Sequence, residues 1–263
     1  MISTINKYYN HVNFFTLISL LAIAFNYLFD FSNSNTIINV FAFTLIASLG
    51  ITHGSYDIKK GQMITKFFNF KSIKLFLILY ILVALSIMTS WYILPNITLL
   101  IFLLISVYHF GNEEFEFFNI KTNFIVSIFR GLMIIIAPLI LHFEQTLYIF
   151  QSINLNINDK LIYFMSDNYT LLFTFASINV LFSLFTIDNI RNRFILLLDL
   201  LTLILINIIF EPFFAFSLYF CFLHSKRNIS KIRKYFMSLN STYFGLVNLI
   251  SIITFILFFI SLI

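Results

Sequence analysis

The chain has 263 residues, 60% of them hydrophobic and only 10% charged, with a mean hydropathy of +0.95. A soluble globular domain carries roughly 25% charged residues, so this balance excludes water as the main solvent. The formal net charge is +5.

Apolar runs recur from end to end, and crossing a hydrocarbon core as a helix takes about 20 residues. They predict spans at 13–29, 36–52, 74–94, 97–110, 123–142, 170–187, 194–210, 212–223 and 242–262. The fold class is therefore all-α, a polytopic transmembrane bundle with eight or nine spans. A transmembrane barrel would show segments of about 10 residues with alternating polarity; continuous Ile, Leu and Phe runs stand here instead. The first run follows Lys7 and has no small-residue cleavage site after it, which reads as a retained span rather than a signal peptide. The segment from Phe143 to Tyr169 is mixed in polarity and suits an interfacial helix. The eighth run is short for a full crossing, and Glu211-Pro212 at its start marks a turn or a kink. With no internal repeat or flexible linker, residues 1–263 read as one integral-membrane domain. Cys221 is the only cysteine, so no intramolecular disulfide can form, and in an apolar run it reads as a small buried side chain.

Cytoplasmic loops collect Lys and Arg, which orients the bundle. With the N-terminus cytoplasmic, Lys7, Lys59, Lys60, Lys66, Lys71, Lys74, Lys121, Arg191, Arg193, Lys226, Arg227, Lys231, Arg233 and Lys234 fall on the cytoplasmic side or at its boundary. Only Lys160 falls outside, and Arg130 lies within a span. Topology thus accounts for the positive charge, and nucleic acid is not needed as a partner. The basic stretch from Lys226 to Lys234 suits anionic lipid headgroups or a solvated loop.

The same layout sorts the five histidines. His53, His109 and His224 end the second, fourth and eighth spans, all at the cytoplasmic boundary; His142 lies at the opposite face, and His11 precedes the first span. Each of the three clustered histidines has a polar residue four positions later: Asp57, Glu113 and Asn228. Residues i and i+4 share a helix face, so such a pair offers two ligands, or one ligand and a partner that orients the imidazole. Imidazole with carboxylate suits iron, zinc or manganese, and spacing alone does not choose among them. Gly50, Gly54 and Gly111 lie beside these histidines, consistent with close backbone approach or with helix ending. Arg130 and Asp199 sit at similar depth within spans, where an unpaired charge costs a few kcal/mol, so an ion pair between them is expected, with substrate or proton access the other reading.

Four segments, Gly50 to Asp57 (GITHGSYD), Ser106 to Glu114 (SVYHFGNEE), Arg130 to Thr146 and Leu218 to Asn228 (LYFCFLHSKRN), resemble in order the motifs of the bacterial Brp/Blh family of beta-carotene 15,15'-dioxygenases. The resemblance implies a multi-pass enzyme of the bacterial inner membrane that uses ferrous iron, Fe(2+), and O2 to split beta-carotene centrally into two molecules of all-trans-retinal. It implies that His53, His109 and His224 are catalytic iron ligands and that Asp57 is the motif aspartate, with Glu113 and Asn228 as further candidates. His142 also matches a family-motif position, although the topology keeps it away from the metal. A retinal-binding rhodopsin would be a downstream partner. One position departs: the family's last motif reads His-Ser-x-Arg-His, and here its final residue is Asn228.

The chemistry suits a lipid-embedded protein, since a long polyene partitions into the bilayer and 37 phenylalanines offer it apolar surface. Three alternatives stand beside it. A non-catalytic carotenoid- or retinal-binding protein would keep the fold and lose a ligand. A metal-dependent intramembrane hydrolase would use Glu113 or Glu114 as general base. A di-iron desaturase would need more histidines than five.

Overall fold

The computed structural model describes residues 2–29, 35–50, 61, 65, 67, 73–117, 124–152, 169–187 and 189–229. Every extended element among them is helical, and none is a strand. In chain order these are α1 (Ile2–Phe29), α2 (Asn35–Leu45) with a π-helical turn π1 (Ile46–Gly50), α3 (Ile73–Ile93), α4 (Pro95–Phe117), α5 (Phe124–Leu141), α6 (Phe143–Ser152), α7 (Tyr169–Thr186), α8 (Ile190–Ile209), and α9 (Pro212–Tyr219) with a second π-helical turn π2 (Phe220–His224).

Among the described residues five stretches, in α1, α3, α4, α5 and α8, are long and apolar enough to cross a membrane. The chain is thus a helical membrane protein, as its hydropathy requires. The ninth expected span, 242–262, lies outside the described residues. Of the segment from Phe143 to Tyr169, the described residues form α6, whose first turn carries Glu144, and the start of α7.

The bundle has a centre and a periphery. α3 turns apolar side chains outward along its whole length, with Val83 58% and Met88 70% exposed, as suits a helix surrounded by lipid. α5 and α8 sit inside, where Met133, Ala137, Leu196, Leu200 and Ile206 form the core with Phe15 of α1 and Tyr219 of α9. Lipid is as apolar as leucine, so close packing and interhelical hydrogen bonds must hold these helices together. α4 and α5 supply the first: a Cβ at Gly111 would fall on the Ser127 carbonyl oxygen, and one at Gly131 on that of Val107. Thr16 and Thr202 supply the second, with their hydroxyls 3.0 Å apart between α1 and α8. Asn179 of α7 adds another, donating to the Phe129 carbonyl of α5 at 3.0 Å.

Two expected boundaries shift. α4 does not stop at His109; it continues to Phe117, because the polar residues beyond the apolar run find partners inside the protein. Gly111 therefore marks close helix approach, and its place inside α4 excludes helix ending. The run from 212 to 223 is also longer than expected. After an extended break at Phe210 and Glu211, Pro212 opens a helix that passes through π2 to residue 229, 18 residues in all. Arg227, assigned from sequence to a basic surface stretch, is 2% exposed inside this extension. Its neighbour Lys226 places its ammonium 3.0 Å from the centroid of the Phe14 ring.

Candidate metal centre

α4 delivers His109 and Glu113 on one face because four residues make slightly more than a turn. α9 delivers His224 through π2, where the Ser225 amide donates to the Phe220 carbonyl five residues back. A π turn inserts extra backbone and re-aims the side chains that follow, which is why such turns recur at functional sites. His224 consequently stacks on Phe220, with ring centroids 5.3 Å apart.

The three side chains converge. Glu113 Oε2 lies 2.8 Å from His224 Nδ1 and 3.7 Å from His109 Nε2. One ligand atom from each residue falls within 4.8 Å of the others. Metal bonds of about 2.0–2.2 Å place neighbouring ligand atoms roughly 3–4 Å apart, so this spacing fits one divalent cation. Two imidazoles and a carboxylate are also a chemically apt donor set for such a cation.

The surroundings are dry on one side and open on the other. His224 is 3% exposed and is enclosed by Phe110, Tyr219 and Phe220, with centroid distances of 4.6, 6.4 and 5.3 Å. The His109 side chain is 52% exposed, so the site keeps an accessible edge. π1 packs against π2 at this end of the bundle. His53 and Asp57, which follow π1 in the chain, lie outside the described residues. Asn228 is buried at 8% exposure, one turn beyond His224.

Directly behind the three residues lies a closed ring of four buried charges. Arg130 of α5 pairs with both Glu114 of α4 and Asp199 of α8. Arg227 completes the circuit, with Nη2 2.8 Å from Asp199 Oδ2 and Nη1 3.6 Å from Glu114 Oε1. All four side chains are 6% exposed or less. Two cations and two anions sum to zero, which lowers the cost of placing four charges inside an apolar bundle. The Arg130–Asp199 pair expected from sequence is thus half of a larger device. The sequence reading does not find Glu114 and Arg227 as members, although each stands next to a candidate ligand, Glu113 and Asn228, and the two are opposite in sign. Glu114 engages both arginines and so is poorly suited to act as a general base.

The other two described histidines, His142 and His11, are not members of this group. His142 Nε2 is 2.7 Å from the Asn207 carbonyl oxygen, a structural link between the end of α5 and α8. His11 is buried on α1 and is not among the three converging residues.

A family profile described as Beta-carotene 15,15'-dioxygenase matches residues 44–263. The chain belongs to the beta-carotene 15,15'-dioxygenase family. A relative with that name, from an uncultured marine bacterium (66A03), is 30% identical over 203 residues, covering 76% of this chain and 71% of its own length. No solved structure matches the chain. The region matched to the beta-carotene 15,15'-dioxygenase family contains π1, both converging histidines, Glu113 and all four charges of the ring.

Proposed function

We propose that this protein cleaves beta-carotene at its central 15,15' double bond to give two molecules of all-trans-retinal. It would act as a single integral unit, residues 1–263, in the bacterial cell membrane, drawing its substrate from the bilayer. The convergence of His109, Glu113 and His224 at one half-open point carries this reading. Two imidazoles and one carboxylate with open positions are the donor set of non-haem iron oxygenases, which favours ferrous iron over zinc. His53 and Asp57 follow π1 and, by the family resemblance, add a fourth ligand and its orienting carboxylate.

The overall reaction balances without an external reductant. The central carbon–carbon double bond and the dioxygen bond break, and two carbonyl bonds form, one in each product. Ferrous iron, held by His109, Glu113 and His224, would supply the activation of dioxygen. The chain's own residues do the rest. His224 and Glu113 present donor atoms 2.8 Å apart, close enough to share one cation. Phe110, Tyr219 and Phe220 keep bulk water from the buried side of the site. The accessible edge at His109 leaves room for dioxygen and the polyene. Glu113 provides an anionic donor at a site whose Asn228 departs from the family histidine, which favours an active enzyme over a protein that only binds carotenoid.

Expression in a beta-carotene-producing bacterium tests the reading. The wild-type chain should discharge the orange colour and yield retinal, whereas His224→Ala, inserted at equal level, should do neither. Persistent colour with the wild-type chain would refute it.

A further inference from the structure

The candidate ligands ride on different neighbours. α4, with His109 and Glu113, leans chiefly on α5, whereas α9 and π2, with His224, lean on α1, α2, α8 and π1. The 2.8 Å between Glu113 Oε2 and His224 Nδ1 therefore depends on side chains that join the two groups of helices. Part of that junction is aromatic: Phe110 of α4 lies against Phe216, Tyr219 and His224, with ring centroids 6.5, 5.9 and 4.6 Å away. Apolar contact is non-directional, so it closes the gap without fixing the register.

The charge ring is directional. Glu114 follows Glu113 on α4, and successive helical residues point about 100° apart, so one carboxylate meets His224 while the other meets Arg227. Arg227 stands three residues after His224, one helical turn along. Its guanidinium spans the junction, with Nη1 3.6 Å from Glu114 Oε1 of α4 and Nη2 2.8 Å from Asp199 Oδ2 of α8. Arg130 of α5 engages the same two carboxylates and adds a 3.2 Å hydrogen bond from Nη2 to the Leu196 carbonyl. A guanidinium presents its donors in a rigid planar fork, so two arginines sharing two carboxylates admit few arrangements. Two bridges thus run side by side between the same pair of elements: Glu113 to His224 at the site, and Glu114 to Arg227 behind it.

We infer that Glu114 and Arg227 are positioning residues of the metal centre: their pair fixes α4 against the helix that carries His224, and so sets the spacing of the ligand atoms. Their consequence for turnover rests on the iron-dependent cleavage proposed above. Neutrality inside the membrane requires only equal numbers of cations and anions, whereas positioning requires these particular side chains. The two roles separate in variants that keep the balance and lose the reach. Glu114→Gln with Arg227→Met removes one charge of each sign and leaves Arg130 paired with Asp199. Replacing a buried ion pair by neutral side chains of similar volume is often neutral for stability. Arg227→Lys keeps every charge and removes the fork.

Metal-free protein in detergent is titrated with Co(II), read by its visible absorption, and its thermal midpoint is measured without metal. Titrations run well below each midpoint, so any loss of affinity is read on folded protein. His224→Ala, which should abolish the absorption, marks the signal as this site. The double variant is expected to keep a metal-free midpoint near that of wild type while its Co(II) affinity falls about 10- to 100-fold, the usual consequence of releasing a ligand from its support. Arg227→Lys should lose affinity in the same range, and it carries the comparison if the double variant does not fold. Wild-type Co(II) affinity in the folded variants would mean that the ring only balances charge, and would overturn the inference. A wild-type protein that binds Co(II) but forms no retinal would refute the cleavage reading instead, and the same titrations would still decide the positioning role.

Discussion

Arg227 Nη2 lies 2.8 Å from Asp199 Oδ2, joining the residue three positions after His224 to the centre of α8. Through Arg130 and Glu114 the same circuit reaches α5 and α4, so one neutral cluster ties together the helices that carry the candidate ligands. Asp199→Asn removes one of the two carboxylates shared by both arginines and leaves two buried cations facing the single carboxylate of Glu114. Breaking a buried pair in this way costs about 3–5 kcal/mol. A clear fall in the thermal midpoint in detergent is expected, and a midpoint equal to wild type would show that the cluster does not hold the bundle.

Glu113 donates to the site without belonging to the charge ring, so its substitution should act on metal rather than on folding. Glu113→Gln keeps the shape and removes the negative charge. Metal retained after dialysis should fall by about 10- to 100-fold in apparent affinity, the size of effect seen when a group that holds or orients a ligand is lost. The thermal midpoint of the metal-free protein should change little. Full metal retention would exclude Glu113 from the site.

Asn228 stands where the family motif carries histidine, buried one turn after His224. Its amide oxygen is a weaker ligand for iron than imidazole. Asn228→His should therefore tighten iron binding, measured by competition with a chelator, with retinal formation retained or raised. Unchanged iron affinity would show that position 228 does not face the metal.

Gly131 lets the α5 backbone approach Val107 of α4, two residues before His109. Gly131→Ala must push the helices apart, and overpacking of this kind costs about 1–3 kcal/mol. Because α4 carries both His109 and Glu113, iron content should drop together with the thermal midpoint. An alanine variant with wild-type stability and iron content would mean that the helix contact is looser than the structure has it.

The sequence alone determined whatever depends on neighbours along the chain. Hydropathy settles that the chain is helical and lives in lipid, since any unsatisfied backbone group there costs several kcal/mol and a helix satisfies its own. The four-residue spacing puts His109 and Glu113 on one face wherever α4 goes. Charge and depth were enough to anticipate the Arg130–Asp199 pair. Contacts between distant segments were a different matter. Nothing in the local pattern says that Arg227 turns inward while Lys226 beside it reaches for Phe14; the buried anions on α4 and α8 draw it in. The same holds for Gly111, readable as a helix end until α5 is seen packed against it. The meeting of His224 with Glu113 across 111 residues required the π turn and the packing of α9, both products of tertiary structure.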